Sequence, residues 1–173
     1  MLSNIQLFDI SKSLKIDLND VIMKNEITND MKYGNYVINL QSSTEGNGSH
    51  WVALIYQPDA SFYCDSFGAP PVEELLQLVK RSKTKHFAYN QSIIQDLKSE
   101  VCGYYAMGLF LYVQKHTFLN KGNLFDTATE YINEFDDDTK RNVGILKSIY
   151  RRYLPDSTVP LIERLYRQKK KIC

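Results

Sequence analysis

The sequence predicts an α+β fold: a small mixed sheet, a buried central helix entering it, and surrounding helices. Three observations carry this expectation. Two neighbouring segments, His50 to Tyr56 and Phe62 to Phe67, are apolar on both faces, the pattern of central strands covered on two sides. The stretch from Cys102 to about Lys115 is apolar nearly all round, and a helix without a polar face is a buried one. The segments beyond these alternate apolar and charged positions at surface-helix spacing.

In chain order, residues 4–15 carry Ile5, Leu7, Phe8, Ile10 and Leu14, the spacing of a short amphipathic helix. Asn35 to Leu40 reads as a strand, and Gln41 to Ser49 as a polar, glycine-containing loop. The two apolar strands are joined by Gln57-Pro58-Asp59-Ala60-Ser61, where proline presets φ and aspartate bonds its own backbone, so they form a hairpin. Pro71 then opens a helix from Val72 to about Ser82. Glu73 and Glu74 in its first turn and Lys80 and Arg81 near its end suit the helix dipole. His86 to Asn90 is a further strand. Gln91 to Val101 connects to the buried helix through Ser99-Glu100, residues that favour a helix start. From Asn123 onward the chain reads as two or three surface helices, broken at Pro155 and Pro160.

A chain of 173 residues is long enough for one domain with a real core and short for two, so residues 1–173 are expected to form a single domain. Apolar and charged fractions of 43% and 24% are ordinary globular values and argue against disorder. Twelve tyrosines and eight phenylalanines suit a β-rich core or a groove that grips extended peptide. A net charge of +1 excludes a whole-surface nucleic-acid binder, although the end of the chain, Arg164 to Lys171, is strongly basic. Met1 to Ile16 lacks a signal-peptide core and no apolar run reaches eighteen residues, so a soluble intracellular protein without a membrane partner is expected. The three cysteines, Cys64, Cys102 and Cys173, are too few and scattered for a disulfide scaffold or a metal cage. No metal is expected, and a thiol is left free for chemistry.

Thiol chemistry needs a thiolate, a nearby imidazole, a group to orient that imidazole, and donors for a developing oxyanion. Cys102 opens the predicted buried helix, where free N–H groups and the dipole favour a thiolate. Gly103 behind it would leave room for a substrate backbone. His50 opens its strand at the sheet edge, and Asp65 lies on the partner strand. A four-residue hairpin loop, Gln57 to Ala60, would set Asp65 opposite Val52 and put His50 and Asp65 on one face as diagonal neighbours; a five-residue loop would separate them. Gln95, seven residues before Cys102, offers an amide as oxyanion donor. Each residue alone has a plainer reading: a buried structural cysteine, an edge histidine, a solvated carboxylate, a loop amide. Cys64 fits a small core residue facing away from Asp65, Cys173 an exposed free thiol, and His86 and His116 structural roles.

Four separated blocks carry a resemblance. Gly48-Ser49-His50-Trp51-Val52-Ala53-Leu54, then Tyr63-Cys64-Asp65-Ser66-Phe67-Gly68, then Gln95, then Cys102-Gly103-Tyr104-Tyr105 resemble the catalytic blocks of adenovirus-type cysteine proteases. The closest likeness is to the maturation proteases of virophages and Polinton (Maverick) elements, in the same clan as the SUMO and ubiquitin-like-protein proteases. Val21 to Ile27 and Asn35 to Leu40 resemble the lead-in of the Polinton proteins, so the likeness spans about residues 1–115. It implies a papain-like fold in circularly permuted order, with Cys102 as nucleophile, His50 as base, Asp65 as orienting acid and Gln95 in the oxyanion hole. Trp51 would roof a narrow substrate channel, with Gly48 and Gly103 also at substrate-binding positions; a core tryptophan is the equal alternative for Trp51. The implied substrates are viral capsid precursors cut after small, glycine-rich sites, in the virion or the host cytoplasm, with no metal or organic cofactor. Adenovirus itself has Glu where Asp65 stands, and no cysteine here matches the one that binds its activating peptide. The basic tail implies DNA as a further partner, against the plainer reading of a solvated helix end. Two other readings stand beside this one: a ubiquitin-like-protein deconjugase, and a non-catalytic capsid-associated scaffold.

Overall fold

Ser3 opens the first helix, α1 (Asn4–Leu14), through a capping box in which its hydroxyl accepts the Gln6 N–H and the Gln6 side chain accepts the Ser3 N–H. The computed structural model describes residues 2–46, 49–120 and 123–154, with backbone alone over 117–120. After α1 come strands β1 (Asp20–Met23), β2 (Gly34–Asn39), β3 (Trp51–Tyr56) and β4 (Ala60–Cys64). Helix α2 (Glu73–Arg81), strand β5 (His86–Tyr89) and helices α3 (Cys102–Asn120), α4 (Leu124–Asn133) and α5 (Asn142–Tyr153) follow. The expected α+β class is what forms. The expected elements recur close to their expected bounds, and β1 is an addition.

The strands lie in chain order across one sheet, β1-β2-β3-β4-β5. The outer pairs, β1 with β2 and β4 with β5, are parallel, and the two inner pairs are antiparallel, so the sheet is mixed. Strand β3 at its centre is buried at all six positions, as its uninterrupted apolar sequence requires. Side-chain alternation divides the core in two. Val37, Trp51, Ala53, Ile55, Phe62 and Cys64 face α3 and its neighbours, while Tyr36, Ile38, Val52, Leu54 and Tyr63 meet Leu75 and Leu78 of α2.

The hairpin pairs Ala53 with Cys64, Leu54 with Tyr63 and Ile55 with Phe62. Continued outward, this register sets Tyr56 opposite Ser61 and Asp65 opposite Val52, the four-residue alternative that keeps His50 and Asp65 on one face.

Helix α3 packs against the sheet, α4 and α5 pack on α3, and α4 also meets β4, where Phe125 lies against Phe62. Both α4 and α5 were expected as surface helices, and each buries one face as such a helix does: Ala128, Tyr131 and Ile132 from α4, Leu146, Ile149 and Tyr150 from α5. The hydroxyls of Tyr131 and Tyr150 donate to the carbonyls of Tyr105 and Tyr104 at 2.8 and 2.6 Å. Gly108 makes the close approach possible, since a β-carbon there would lie 2.8 Å from the Tyr131 hydroxyl. Among the described residues no helix is long and apolar enough to cross a membrane. Gly48, the breaks at Pro155 and Pro160, the basic stretch Arg164 to Lys171, and Cys173 lie outside the described residues.

Candidate active site

Cys102 is the first residue of α3, where the opening N–H groups of a helix have no partner within it. The residue is 3% exposed, and its thiol accepts the backbone N–H of Trp51 at 3.4 Å. His50 sits one residue before β3, and the ladder extends to it, because the Leu40 N–H donates to the His50 carbonyl at 2.9 Å. Sequence neighbours on opposite sides of the strand therefore meet the same sulfur, Trp51 through its backbone and His50 through its ring.

The His50 ring bonds the Asp65 carboxylate, Nε2 to Oδ1, at 2.7 Å. That leaves Nδ1 as the ring nitrogen for its hydrogen bond with Cys102. Phe67 lies flat against the imidazole, with ring centroids 4.5 Å apart and planes 19° from parallel. The Phe67 backbone N–H also donates to Asp65 Oδ1, at 2.7 Å, so one residue holds both the ring and its carboxylate partner. Asp65 is 1% exposed. Asn90 clamps its backbone in both directions: Asn90 Oδ1 accepts the Asp65 N–H at 2.9 Å, and Nδ2 donates to the Asp65 carbonyl at 2.7 Å.

These contacts decide the protonation states. Burial pulls the His50 imidazole down, but the hydrogen bonds to Asp65 and Cys102 and both negative charges outweigh it, raising the group to about 9. Burial pushes the Cys102 thiol up, while the His50 hydrogen bond, the Trp51 N–H, the His50 charge and the Gly103 N–H together bring it below its ordinary value. Each group thus favours the charged form of the other, thiolate facing imidazolium. Cys64 has no such partner; burial and the Asp65 charge push it far above the usual thiol range, as expected of an inert core cysteine.

Gln95 is fully buried in the segment leading to α3. Its Oε1 accepts from the Ser66 hydroxyl at 2.7 Å and its Nε2 donates to the Ser99 carbonyl at 2.9 Å. The backbone N–H groups of Ile94 and Gln95 both donate to the Ser66 carbonyl, tying this segment to the residue after Asp65. The amide is thus immobilised with one N–H to spare, and makes no hydrogen bond to Cys102 or His50 among the described residues.

One expectation changes here. Gly103 does not open a path for substrate: it is buried, and a β-carbon would meet Leu7 Cδ2 at 3.0 Å and Leu2 Cδ1 at 3.2 Å. Its missing side chain admits the apolar face of α1. Trp51 is 4% exposed, packs in the core and donates its indole N–H to the Leu2 carbonyl at 2.8 Å, while also walling a surface cavity. Sequence reasoning missed Phe67, Asn90 and Asn142. Asn142 reaches from α5 to donate to the Ile94 carbonyl at 3.0 Å and so braces the Gln95 segment. An amide at a strand end and one in a distant helix leave no local pattern that points to Asp65 or Gln95. His116 stacks on Tyr112 and bonds the Tyr153 hydroxyl away from the site, as a structural histidine should.

No family model matches the sequence, and no curated protein does. Among solved structures the chain is similar to the ASFV pS273R protease, at 16% identity and a TM-score of 0.41 over 69% of this chain and 42% of that one. It is also similar to AvrA with IP6 and CoA, at 14% identity and a TM-score of 0.48 over 91% and 65%. The central domain of the uncharacterized Lpg1148 protein from Legionella pneumophila matches at 12% and 0.44, over 90% of this chain and 97% of that chain. The chain spans less than half the length of the ASFV protease.

Proposed function

We propose that this chain is a cysteine endopeptidase. The observation that carries the reading is a buried sulfur at a helix start, hydrogen-bonded to an imidazole that is itself bonded to a buried carboxylate at 2.7 Å. The Cys102 thiolate attacks the carbonyl carbon of a peptide bond, and the electron pair of the C=O moves onto oxygen. The backbone N–H of Cys102 and the spare N–H of Gln95 are the donors available to that oxyanion. The imidazolium of His50 gives its proton to the departing amine as the C–N bond breaks, leaving a thioester and a neutral ring. His50 then takes a proton from water, whose oxygen displaces the thiolate and frees the carboxylic acid. Asp65 keeps the ring oriented and favours its charged form throughout; it acts through His50 rather than on the substrate.

The sequence resemblance directs this chemistry to viral capsid precursors cut after small, glycine-rich sites, in the virion or the host cytoplasm. Co-expression with candidate coat proteins tests it: shortened products are expected with the wild type and absent with Cys102→Ala. Removal of a ubiquitin-like modifier from a fluorogenic Gly-Gly conjugate, with coat proteins left intact, would favour a deconjugase instead. Independently of substrate, iodoacetamide at neutral pH should label Cys102 and spare Cys64, and His50→Ala should slow labelling about ten-fold or more. An unreactive Cys102 would leave only the scaffold reading.

A further inference from the structure

A cavity of about 330 Å³ adjoins Trp51. Its apolar wall is Val21 and Met23 from β1 with Trp51 from β3, and its polar wall includes Glu26, Ser43 and Asn4. Met23 pairs with Asn39, and Asn39 pairs with Trp51, so these three form one cross-strand row on a single face of the sheet. Asn39, in the middle of the row, is fully buried, and its Nδ2 has no hydrogen-bond partner among the described residues. Asn39 does not itself line the cavity, so this donor stays behind the wall that Met23 and Trp51 form.

The charge in this cavity is one-sided. Glu26 is exposed; its Oε2 accepts the Met23 N–H at 2.7 Å, and Oε1 has no partner among the described residues. Lys24, its nearest cation in sequence, is engaged by Glu45 at 3.4 Å. The wall behind Glu26 is braced: the Ser43 N–H donates to Asn25 Oδ1 at 2.9 Å, and Asn25 Nδ2 donates to the Ser43 hydroxyl at 3.0 Å. An apolar trough ending in a carboxylate fits a side chain with an aliphatic stem and a cationic head.

We infer that this cavity is a specificity pocket for a lysine or arginine of the substrate, a few residues before the scissile bond, with Glu26 as its counter-charge. The inference rests on the endopeptidase reading above. Trp51 links the two places, since its N–H touches the Cys102 sulfur and its indole walls the cavity. His50 and Trp51 project to opposite sides of their strand, so the cavity and the ring that protonates the departing amine lie on different faces, and the cavity is assigned to the acyl side. Two strand spacings separate Trp51 from Met23, roughly 10 Å, which an extended substrate covers in about three residues.

Digestion of a peptide library prepared from a denatured proteome, read by mass spectrometry, tests this. With the wild type, cuts should be enriched for Lys and Arg at one position about two to four residues before the bond, by about five-fold. Glu26→Gln retains an oxygen for the Met23 N–H and should reduce the enrichment toward background, and Glu26→Lys should shift it to Asp and Glu. Cuts that require Cys102 but show no basic preference, or one unchanged in Glu26→Gln, would overturn the pocket and leave the endopeptidase standing. Absence of any cut that differs between wild type and Cys102→Ala would overturn both.

Discussion

Cys102 and His50 shift each other's protonation in opposite directions, and the fold inherits a pH dependence from the pair. Unfolded, the imidazole titrates near 6.5 and the thiol near 9; folded, the imidazole rises to about 9 and the thiol falls. The imidazole's share of stability is complete below pH 6.5 and is lost as pH rises through about 9, whereas the thiolate's share is complete above 9 and is lost as pH falls through the folded thiol's lowered value. Between 6.5 and 9 the two shares change in opposite senses and offset each other. Urea midpoints measured from about pH 6 to 9 should therefore vary less in the wild type than in Cys102→Ala, where only the His50 share remains and the midpoint should decline as pH rises. An equal decline in both proteins would rule out the ion pair.

At the scale of elements, the carboxylate is held by pieces that arrive from elsewhere. Asn90, just past β5, joins the end of β4 to the following loop by bonding the Asp65 N–H, the Asp65 carbonyl and the Ser92 carbonyl. Asn90→Ala would strand these backbone groups where water reaches poorly, costing about 2–4 kcal/mol in denaturant unfolding. It should also lower kcat more than it raises KM, because a displaced Asp65 weakens His50 without touching substrate. A stability loss with kcat unchanged would reduce Asn90 to a structural brace. Here the sequence was least legible. His50, Asp65, Gln95 and Cys102 announced themselves by residue type and order, whereas Asn90, Phe67 and Asn142 are ordinary residues whose importance comes from what folding sets beside them. The strand β1 escaped for a related reason: four half-exposed residues at a sheet edge have too little pattern to read alone. Gly103 was misread because a glycine's empty side can admit a ligand or a helix, and only α1 decides which.

Across the whole molecule, one hairpin register governs whether the site exists. The four residues between Tyr56 and Ser61 put Asp65 and His50 on one face, and a slip of one residue sends every side chain of β4 to the other. Inserting one glycine after Asp59 should give one of two results. If the flanking strands hold their register and the loop absorbs the residue, as the buried Phe62 and Cys64 favour, iodoacetamide labelling of Cys102 survives. If the pairing slips, Asp65 leaves His50, Tyr63 exchanges places with Phe62, and both labelling and cooperative unfolding are lost. Labelling retained in a variant whose β4 amides exchange with a slipped pairing would disconnect Asp65 from the site.

The sequence by itself determined the class of fold, the near-complete list of elements and the four residue types on which thiol chemistry depends, because hydrophobic period and helix-end preference are local properties. Only the tertiary structure decided the hairpin register, the packing of α1 against Gly103, the clamp on Asp65 and the carboxylate-ended cavity beside Trp51. Those depend on which distant segments share a surface, and burial, hydrogen bonding and charge act there through space rather than along the chain.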